Sequence, residues 1–361
     1  MSNNDNLRRY EPLIDDWNAF AVACARPLPL VLWTNPLRTE ALARLNDHDG
    51  IAVAAHPQVG DNGEAARRAA AGYAAVPGDS HPVPGALLAA RLEARGHECT
   101  PLGWYPGGLK VSNLDKPGLT LEYVLGLYHV QEEASLIPVR VLAPRPGERI
   151  LDLCAAPGGK TAQISVAIAC RGTVVANDVR VDRIRALRSN CERLGLLNVA
   201  MTAQDGTGFP LEAGPFDAIL LDAPCSCEGN VRQGTGTRWE RPDEFLQGRS
   251  GLQATLLGRA WKLLAPGGRL VYATCTFAPE ENEMVLDYSL SDDARIEPVT
   301  VAGLRHAPGV TAWCGKRLRP DCAHVARFWP HFNDTGGFTV ALVRKQALEA
   351  PTTAGNREQG A

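Results

Sequence analysis

The chain has 361 residues, of which 45% are hydrophobic and 21% charged, and its 37 basic and 40 acidic side chains give a formal net charge of -3. These values are typical of a folded globular protein of about two domains, and they exclude a chain basic enough to bind nucleic acid over its whole surface. No stretch approaches the ~18 apolar residues of a membrane span, and the N-terminal residues lack the apolar core of a signal peptide. We therefore predict a cytoplasmic protein whose ten cysteines are reduced thiols.

The N-terminal part of the chain, residues 1–145, has short apolar patches separated by proline, glycine and alanine. We interpret it as a smaller accessory domain, in which residues 56–84 form a loop or an insertion. A helix is predicted from Gly85 to Arg95. The aromatic segment 104–106 could present its rings at a surface, and local packing is the alternative.

From residue 149 onward, apolar runs that end in polar residues alternate with helical stretches. This alternation predicts a parallel, doubly wound sheet that binds its ligands at the carboxyl ends of the strands. We take residues 146–345 as this second domain and residues 346–361 as a disordered tail. The predicted strands are 149–155, 172–178, 199–205, 216–224, 269–276 and 338–345. The predicted helices are 160–169, 179–195, 245–264 and one that begins at Pro279, Glu280 and Glu281.

The first of these strands leads into a loop where Gly158 and Gly159 permit a tight turn and a close approach of the backbone to a ligand. Asp178 follows Gly158 by about 20 residues, the separation typical of a carboxylate that binds ribose hydroxyls. We infer a cofactor that contains a nucleoside. A phosphate-binding loop would need glycine in place of Cys154, and a dinucleotide site would need a glycine pattern that this loop lacks. Glycines that only close a turn remain an alternative.

Acidic residues close four successive predicted strands, at Asp152, Asp178, Asp205 and Asp222. S-adenosylmethionine presents ribose hydroxyls, an adenine amino group and a cationic methionine, and carboxylates along one sheet edge can bind all three. The arrangement therefore favours this cofactor over a nicotinamide dinucleotide.

Two cysteines lie at the ends of neighbouring predicted strands, Cys225 in DAPCSC and Cys275 in ATCTF. A single buried cysteine usually behaves as a small hydrophobic side chain. Two of them at the predicted cofactor edge, each beside a polar motif, instead indicate nucleophilic thiol chemistry. Asp222 and Lys160 belong to motifs that open into the same crevice.

These motifs, in this order, resemble the NSUN/RsmB-type (Sun) family of RNA cytosine-5 methyltransferases. The resemblance covers about residues 120–345 and is most specific in APGGK, DAPCS and TCT followed by PEENE. The matching segments are QEEASL (131–136), LDLCAAPGGKT (151–161), NDVRVDRI (177–184), QDGT (204–207), LLDAPCSCEGNVR (220–232), YATCTFAPEENE (272–283) and RFWPHFNDTGGF (327–338).

The resemblance implies an α/β, Rossmann-like class I S-adenosylmethionine-dependent methyltransferase fold with a smaller N-terminal α+β domain. It implies that Cys275 adds to C6 of cytosine as the nucleophile and that Cys225 promotes release of the methylated product. Asp222 would face the target base, and Lys160 would orient groups in the pocket. The implied cofactor contacts are Cys154, Ala155, Ala156, Pro157, Gly158, Gly159, Lys160, Asp178, Arg183, Asp205 and Asp222.

The N-terminal region departs from the family pattern. An arginine-valine-asparagine-threonine segment is replaced here by LWTNPLRT, which retains Asn35, and residues 56–84 have no counterpart. By analogy we expect RNA to bind to the N-terminal domain and the methyltransferase face, with ribosomal RNA favoured over transfer RNA. We hypothesise that residues 104–106 and a basic segment flank the opening for the target base, and a solvated loop is the alternative for the segment. The basic residues are Lys316, Arg317, Arg319 and Arg327.

Two other functions were weighed. A DNA cytosine-5 methyltransferase would use the cysteine of the earlier, proline-cysteine motif as its nucleophile, so the threonine-cysteine motif at Cys275 favours RNA. An RNA-binding assembly factor without turnover would not need both thiols. Cys225 and Cys227 lack the second ligand pair of a four-ligand zinc site, so we predict no metal. We also expect no membrane partner and a monomer.

Overall fold

The structure is a computed structural model that describes residues 5–49, 85–233 and 243–347. The predicted loop at 56–84 lies outside the described residues, and so does the predicted tail beyond residue 347.

The secondary structure alternates most regularly after residue 149. The strands are β1 Leu30–Thr34, β2 Glu98–Pro101, β3 Gly108–Ser112, β4 Tyr128–Val130, β5 Arg149–Asp152, β6 Thr173–Asn177, β7 Val199–Thr202, β8 Phe216–Asp222, β9 Leu264–Thr274, β10 Ala294–Glu297, β11 Ala307–Pro308, β12 Ala312–Trp313, β13 Lys316–Arg317, β14 Ala326–Phe328 and β15 Phe338–Lys345. The α-helices are α1 Trp17–Cys24, α2 Pro36–Asp49, α3 Ala86–Glu93, α4 Leu121–Val124, α5 Ile137–Leu142, α6 Gly159–Ala167, α7 Val181–Leu194, α8 Asp243–Leu263, α9 Glu283–Ser289 and α10 Pro330–Asn333.

A mixed sheet forms the centre of the described structure. Its strand order is β11-β14-β15-β9-β8-β5-β6-β7, and β10 pairs with β15. Strands β9, β8, β5, β6 and β7 are parallel to one another, whereas β15 is antiparallel to β9. The chain leaves β5 toward β6 on one side and later returns to β8 on the other. This reversal of strand order opens a crevice beyond the carboxyl ends of β5 and β8.

The predicted parallel, doubly wound architecture is confirmed for β5 to β9, whose strands are short apolar runs as the sequence indicates. It is wrong for the last predicted strand, β15, which pairs antiparallel with β9. In β8, Ala218 to Leu221 are completely buried, because helices cover both faces of the parallel strands. The predicted helix at 160–169 is α6, and the helix at 245–264 is α8. At Pro279 the chain forms only a short 3-10 helix, Pro279–Glu281, before α9 begins.

A second, four-stranded antiparallel sheet with the order β2-β3-β1-β4 lies in the N-terminal region. Its buried side chains Val31 and Trp33 share a hydrophobic cluster with Ile150 of β5. Asn35 is completely buried, and its Nδ2 donates hydrogen bonds to the carbonyl oxygens of Gly126 (3.1 Å) and Leu194 (2.9 Å). The N-terminal sheet is therefore held against the end of α7, next to the crevice.

The ten cysteines all lie in the described part of the chain and form no disulfide there. Among the described helices, none has both the length and the apolar character that crossing a membrane requires.

Candidate active site

The loop between β5 and α6 is shaped by two glycines that face opposite neighbours. Gly158 has φ of 104°, and a Cβ built on it would lie 2.6 Å from Cδ1 of Leu187 in α7. A Cβ on Gly159 would lie 2.9 Å from Oε1 of Gln131 and 3.2 Å from Nε2 of His129. A larger residue at either position would force the loop away from α7 or from β4. The glycines thus allow the backbone to pass between α7 and the N-terminal sheet.

A cavity of about 140 Å³ lies at the carboxyl ends of β5 and β8, bounded on one side by this loop. Two strand-end acids, Asp152 and Asp222, line it together with the loop residues 154–157, Gly159 and Lys160. His129, Gln131 and Ser135 close it from the N-terminal side. The structure therefore brings together eight of the sequence-predicted site residues: Cys154, Ala155, Ala156, Pro157, Gly159, Lys160, Asp222 and, from the acid series, Asp152.

Asp178 and Arg183 do not line this cavity. They contact the backbone of the loop between β5 and α6 instead. The buried Asp178 carboxylate accepts hydrogen bonds from the backbone N–H of Ala156 (3.2 Å) and of Arg180 (3.0 Å). Its ion pair with the Arg183 guanidinium spans 3.2 Å. Arg183 also donates to the carbonyl oxygen of Ala156. In this geometry both side chains fix the loop backbone.

Asp205 is exposed and lies beyond the end of β7. Its carboxylate accepts hydrogen bonds from the backbone N–H (2.9 Å) and the hydroxyl (2.8 Å) of Thr207, which lower the pKa of Asp205. The predicted contact of Asp205 with a cofactor stays a prediction.

Asp152 lines the cavity and has one unsatisfied carboxylate oxygen. Its Oδ2 accepts a hydrogen bond from the Thr161 hydroxyl at 2.7 Å, whereas the buried Oδ1 has no partner among the described residues. Burial raises the pKa of Asp152 to about 7, and the carboxylate of Asp222 adds to this effect. A buried acceptor without a partner costs free energy, so a donor or a cation in the cavity would be stabilised there. The methionine ammonium and the sulfonium of S-adenosylmethionine have this chemistry, and the lining therefore fits that cofactor.

Lys160 forms an ion pair in the lining of the cavity. Its Nζ lies 2.7 Å from Oδ2 of Asp222 and 2.8 Å from the Ser135 hydroxyl oxygen. Burial alone would lower the pKa of Lys160, but the Asp222 carboxylate outweighs it, and the net shift is upward. The ammonium group is thus held charged beside the Asp222 carboxylate.

Three thiols meet at the ends of β8 and β9. The Sγ of Cys225 lies 3.4 Å from that of Cys275 and 3.9 Å from that of Cys227. All three sulfur atoms lie within 4.8 Å of one another. The Asn230 amide donates to the Cys275 sulfur at 3.5 Å. The two cysteines predicted to share a crevice therefore do so, and Cys227 and Asn230 join them.

The contacts of the two predicted catalytic thiols are unequal. The thiol of Cys225 donates toward the Cys275 sulfur and favours a thiolate there, but contacts with Cys227, burial and the charge of Asp222 raise the pKa of Cys275 well above its ordinary value. For Cys225, contacts with both other thiols and burial all act in the same direction and raise its pKa. Both pKa values are thus raised, and the Cys275 sulfur also accepts a hydrogen bond from the Asn230 amide.

A buried hydrogen-bond network, which the sequence analysis missed, holds the two cysteine loops together. The Ser226 and Thr276 hydroxyl oxygens, each next to a predicted catalytic cysteine, are 2.6 Å apart. The completely buried Glu281 accepts from the Ser226 N–H (2.9 Å), the Gln253 amide (2.9 Å) and the Thr276 hydroxyl (3.3 Å). Glu281 was interpreted as a first-turn acid of a helix. The one signal in the sequence that could have indicated this contact is the place of Glu281 in the PEENE motif. Without knowledge of the tertiary contacts, the acids of that motif look like solvated charges.

The hypothesis of a basic RNA-contacting segment is wrong for Arg327. This side chain is only 2% exposed, and its Nε donates to Oε1 of Glu283 at 2.7 Å. Lys316 is paired with Asp287 at 3.0 Å, and Arg319 with Asp321 at 2.6 Å. A cation that neutralises a carboxylate of its own chain is less available to phosphate.

The aromatic segment is also not a surface platform. Trp104 is 8% exposed and belongs to the main hydrophobic cluster, and its Nε1 donates to Oε1 of Glu133 at 2.8 Å. The Tyr105 hydroxyl accepts a hydrogen bond from the Gln163 amide at 2.9 Å. Local packing, the alternative to an aromatic surface, is correct here.

A larger cavity, of about 780 Å³, lies between α8, α9 and the β12–β13 hairpin. Its lining includes neither the two predicted catalytic thiols nor the lysine-carboxylate pair. We place the candidate active site at the smaller cavity because Lys160, Asp222 and Asp152 line it, and the thiols follow directly after β8 and β9 at the same edge of the sheet.

The fold and this site define a Rossmann-like methyltransferase. A crystal structure of a methyltransferase homologue from Pyrococcus horikoshii aligns with a TM-score of 0.67 and 28% identity, covering 91% of this chain and 90% of that one. The model of the 16S rRNA methyltransferase RsmB/F family matches residues 139–344, and the chain belongs to that family.

Two relatives illustrate the range of the family. The tRNA (cytosine(49)-C(5))-methyltransferase of Pyrococcus abyssi is 39% identical over 253 residues, which are 69% of this chain and 80% of the relative. The 28S rRNA (cytosine-C(5))-methyltransferase of Mus musculus is 38% identical over 272 residues, or 73% of this chain. The chain spans only 34% of the length of that mouse relative.

Proposed function

We propose that this chain is an S-adenosylmethionine-dependent RNA methyltransferase that forms 5-methylcytosine through a covalent adduct with Cys275. The observation that carries the proposal is the 3.4 Å approach of Cys275 and Cys225 at the edge of a cavity with an unsatisfied carboxylate oxygen. Two thiols are needed if one forms the adduct and the other assists its breakdown. Membership of the RsmB/F family supports the same reaction class.

The first chemical task falls to Cys275. C5 of cytosine is a poor nucleophile, and a thiolate that adds to C6 makes C5 enamine-like. Asn230 donates to the sulfur, and the ammonium of Lys160 favours negative charge nearby. Asp222, held by Lys160 at 2.7 Å, is assigned to the N3 side of the ring, where charge develops. S-adenosylmethionine, when bound, supplies an electrophilic methyl group.

The second task is release of the product. The C5 proton must leave so that the C5–C6 double bond forms again and the bond between C6 and the Cys275 sulfur breaks. We assign this step to Cys225, whose sulfur lies next to that of Cys275. Cys154 to Lys160, Asp152 and Asp222 are assigned to the cofactor cavity, with Asp178 and Arg183 as supports of the loop and Asp205 as a further contact.

The substrate is proposed to be RNA with an unpaired or extruded cytosine, because C5 and C6 are inaccessible in a stacked helix. The family description favours ribosomal RNA, whereas the archaeal relative is named for transfer RNA. Four further statements remain predictions. They are the N-terminal region as an RNA-binding domain, the division at residue 145, the cytoplasmic location and the monomeric state.

The test is incubation of the purified chain with radiolabelled S-adenosylmethionine and separate pools of ribosomal RNA, transfer RNA and DNA, followed by nucleoside analysis. Label in 5-methylcytidine from an RNA pool is the expected result. Label in DNA would support the DNA methyltransferase alternative. Cofactor binding with no label in any pool, including RNA from assembly intermediates, would support an assembly factor and contradict the proposal.

Arg317, which is exposed on β13, remains a candidate within the basic segment for contact with RNA. Charge reversal at Arg317 should weaken RNA binding and reduce its salt dependence by about one phosphate contact. Unchanged affinity at several salt concentrations would contradict this contact. Arg327→Lys is the control. Because Arg327 lies in a buried ion pair, this substitution should not change the salt dependence of RNA binding.

A further inference from the structure

We propose that Cys225, Cys227 and Cys275 form a binding site for a thiophilic divalent cation, Zn²⁺, which sequesters the predicted nucleophile reversibly. The prediction of no metal considered only ligands close in sequence. The third thiol comes from Cys275, which lies 50 positions from Cys225.

The sulfur positions agree with shared coordination of one ion. Zinc binds thiolate sulfur at about 2.3 Å, so two sulfurs of one tetrahedral site lie roughly 3.8 Å apart. The observed separations of 3.4 Å and 3.9 Å fall on either side of this value. The third pair lies within 4.8 Å.

Cys227 occupies a backbone conformation that its residue type does not favour. Its φ is 62°, in the left-handed region, which costs a residue with a side chain about 1 kcal/mol or more relative to glycine. This conformation turns the Cys227 sulfur toward Cys225. Glycine at position 227 would adopt the same backbone conformation without this conformational cost, but only two thiols would then remain in the cluster.

The surroundings suit a bound ion. Asn230 already donates to the Cys275 sulfur at 3.5 Å, an outer-shell contact of the kind that orients a metal-bound ligand. Cys227 and Cys275 are partly exposed, which gives an ion access, whereas Cys225 is buried. Three protein ligands leave a fourth position for water. Binding would displace the thiol protons, so affinity should increase with pH.

The test uses Co²⁺ as a spectroscopic substitute in the full chain, kept reduced and anaerobic with a phosphine reductant. We expect one equivalent to give sulfur-to-cobalt charge-transfer absorption of three-thiolate intensity, and Zn²⁺ to displace it. Cys227→Ser should lose a third of this intensity. It should also weaken Zn²⁺ binding, measured by competition with a chromophoric chelator, by more than the roughly tenfold that loss of an outer-shell partner costs.

Two further variants make the result decisive. Cys227→Gly suits the left-handed backbone and should fold, so a loss of the cobalt signal in it cannot be ascribed to misfolding. Cys314→Ser removes an exposed thiol outside the cluster and should leave the spectrum unchanged. An unchanged spectrum and Zn²⁺ affinity in both Cys227 variants would overturn the proposal, as would a cobalt complex without thiolate absorption.

Inhibition of methyl transfer by bound zinc rests on the proposed function, whereas the metal site does not. If the cobalt signal depends on Cys227 but the chain transfers no methyl group, the metal site stands and the proposed function fails. If methyl transfer is found and Cys227 has no effect on metal binding, only the metal site fails.

Discussion

The cofactor side and the thiol side of the crevice are constructed in different ways. The cofactor side is a backbone turn, in which Gly158 and Gly159 pass between Leu187 and Gln131 at distances that exclude a side chain. The thiol side is held by side chains, with Glu281 linking Ser226 and Thr276, which flank the two cysteine positions. The turn of the first is made by two adjacent glycines, whereas the second joins loops about 50 positions apart. Substitutions should therefore affect the two sides differently.

The largest effects should come from the thiols themselves. Cys275→Ala should lower the rate of methyl transfer by about 10⁴-fold or more, because loss of a nucleophile removes the covalent route. Cys225→Ala should instead leave a covalent enzyme-RNA adduct, visible as a slowly migrating, protease-sensitive RNA species. Cys314→Ala is the matched control and should retain activity. Substantial turnover by Cys275→Ala, or no adduct with Cys225→Ala, would refute these roles.

Glu281 tests the side-chain construction of the thiol side. Glu281→Ala should lower the free energy of unfolding by about 2–4 kcal/mol, because the buried Ser226 N–H and the Gln253 amide lose their acceptor. Methyl transfer should fall as well, since the two cysteine loops lose their link, while cofactor affinity should change little. Glu281→Gln keeps one acceptor oxygen and should be less harmful. Equal loss of cofactor affinity and turnover in Glu281→Ala would show that the two sides are not separate.

Asp152 tests the charge of the cofactor side. Its pKa is raised to about 7, so its contribution to stability is present at low pH and is lost as the pH rises from about 4 to about 7. Wild type should therefore lose about 4 kcal/mol of unfolding free energy relative to Asp152→Asn across this range, since one pKa unit corresponds to about 1.4 kcal/mol. S-adenosylmethionine, as a cation, should bind the wild type more tightly as the pH rises toward 7. This account would be contradicted if stability and cofactor affinity depended on pH in the same way in the wild type and in Asp152→Asn.

The backbone of the cofactor side can be tested with two glycines that share a left-handed conformation. Gly158 (φ 104°) would place a Cβ against Leu187, whereas a Cβ on Gly147 (φ 91°) would meet nothing within 4 Å. Both alanine variants pay the conformational cost, and only Gly158→Ala adds overpacking, about 1–3 kcal/mol. The difference in unfolding free energy therefore isolates the contact with α7. Equal destabilisation would mean that the loop does not depend on this contact.

The features that could be predicted from the sequence also separate local patterns from contacts between distant residues. The alternation of strands and helices, the glycine loop and the convergence of Cys225 and Cys275 depend on local patterns and on the rule that ligands bind at the carboxyl ends of parallel strands. The burial of Glu281 and of Arg327 depends on partners far along the chain, so both looked like surface charges. Trp104 illustrates the same limit, because its partner Glu133 belongs to another segment. The role of Cys227 was missed because its relation to Cys275 exists only in three dimensions.

The central claim is that the Cys275 sulfur forms a bond to C6 of cytosine in RNA. RNA that contains 5-fluorocytidine should trap this adduct in the presence of S-adenosylmethionine, because fluorine at C5 cannot leave as a proton. We predict a denaturation-resistant complex in which mass spectrometry of the protease digest finds the nucleotide on the peptide containing Cys275. Attachment at Cys225, or no covalent complex with an RNA that the chain methylates, would contradict the account.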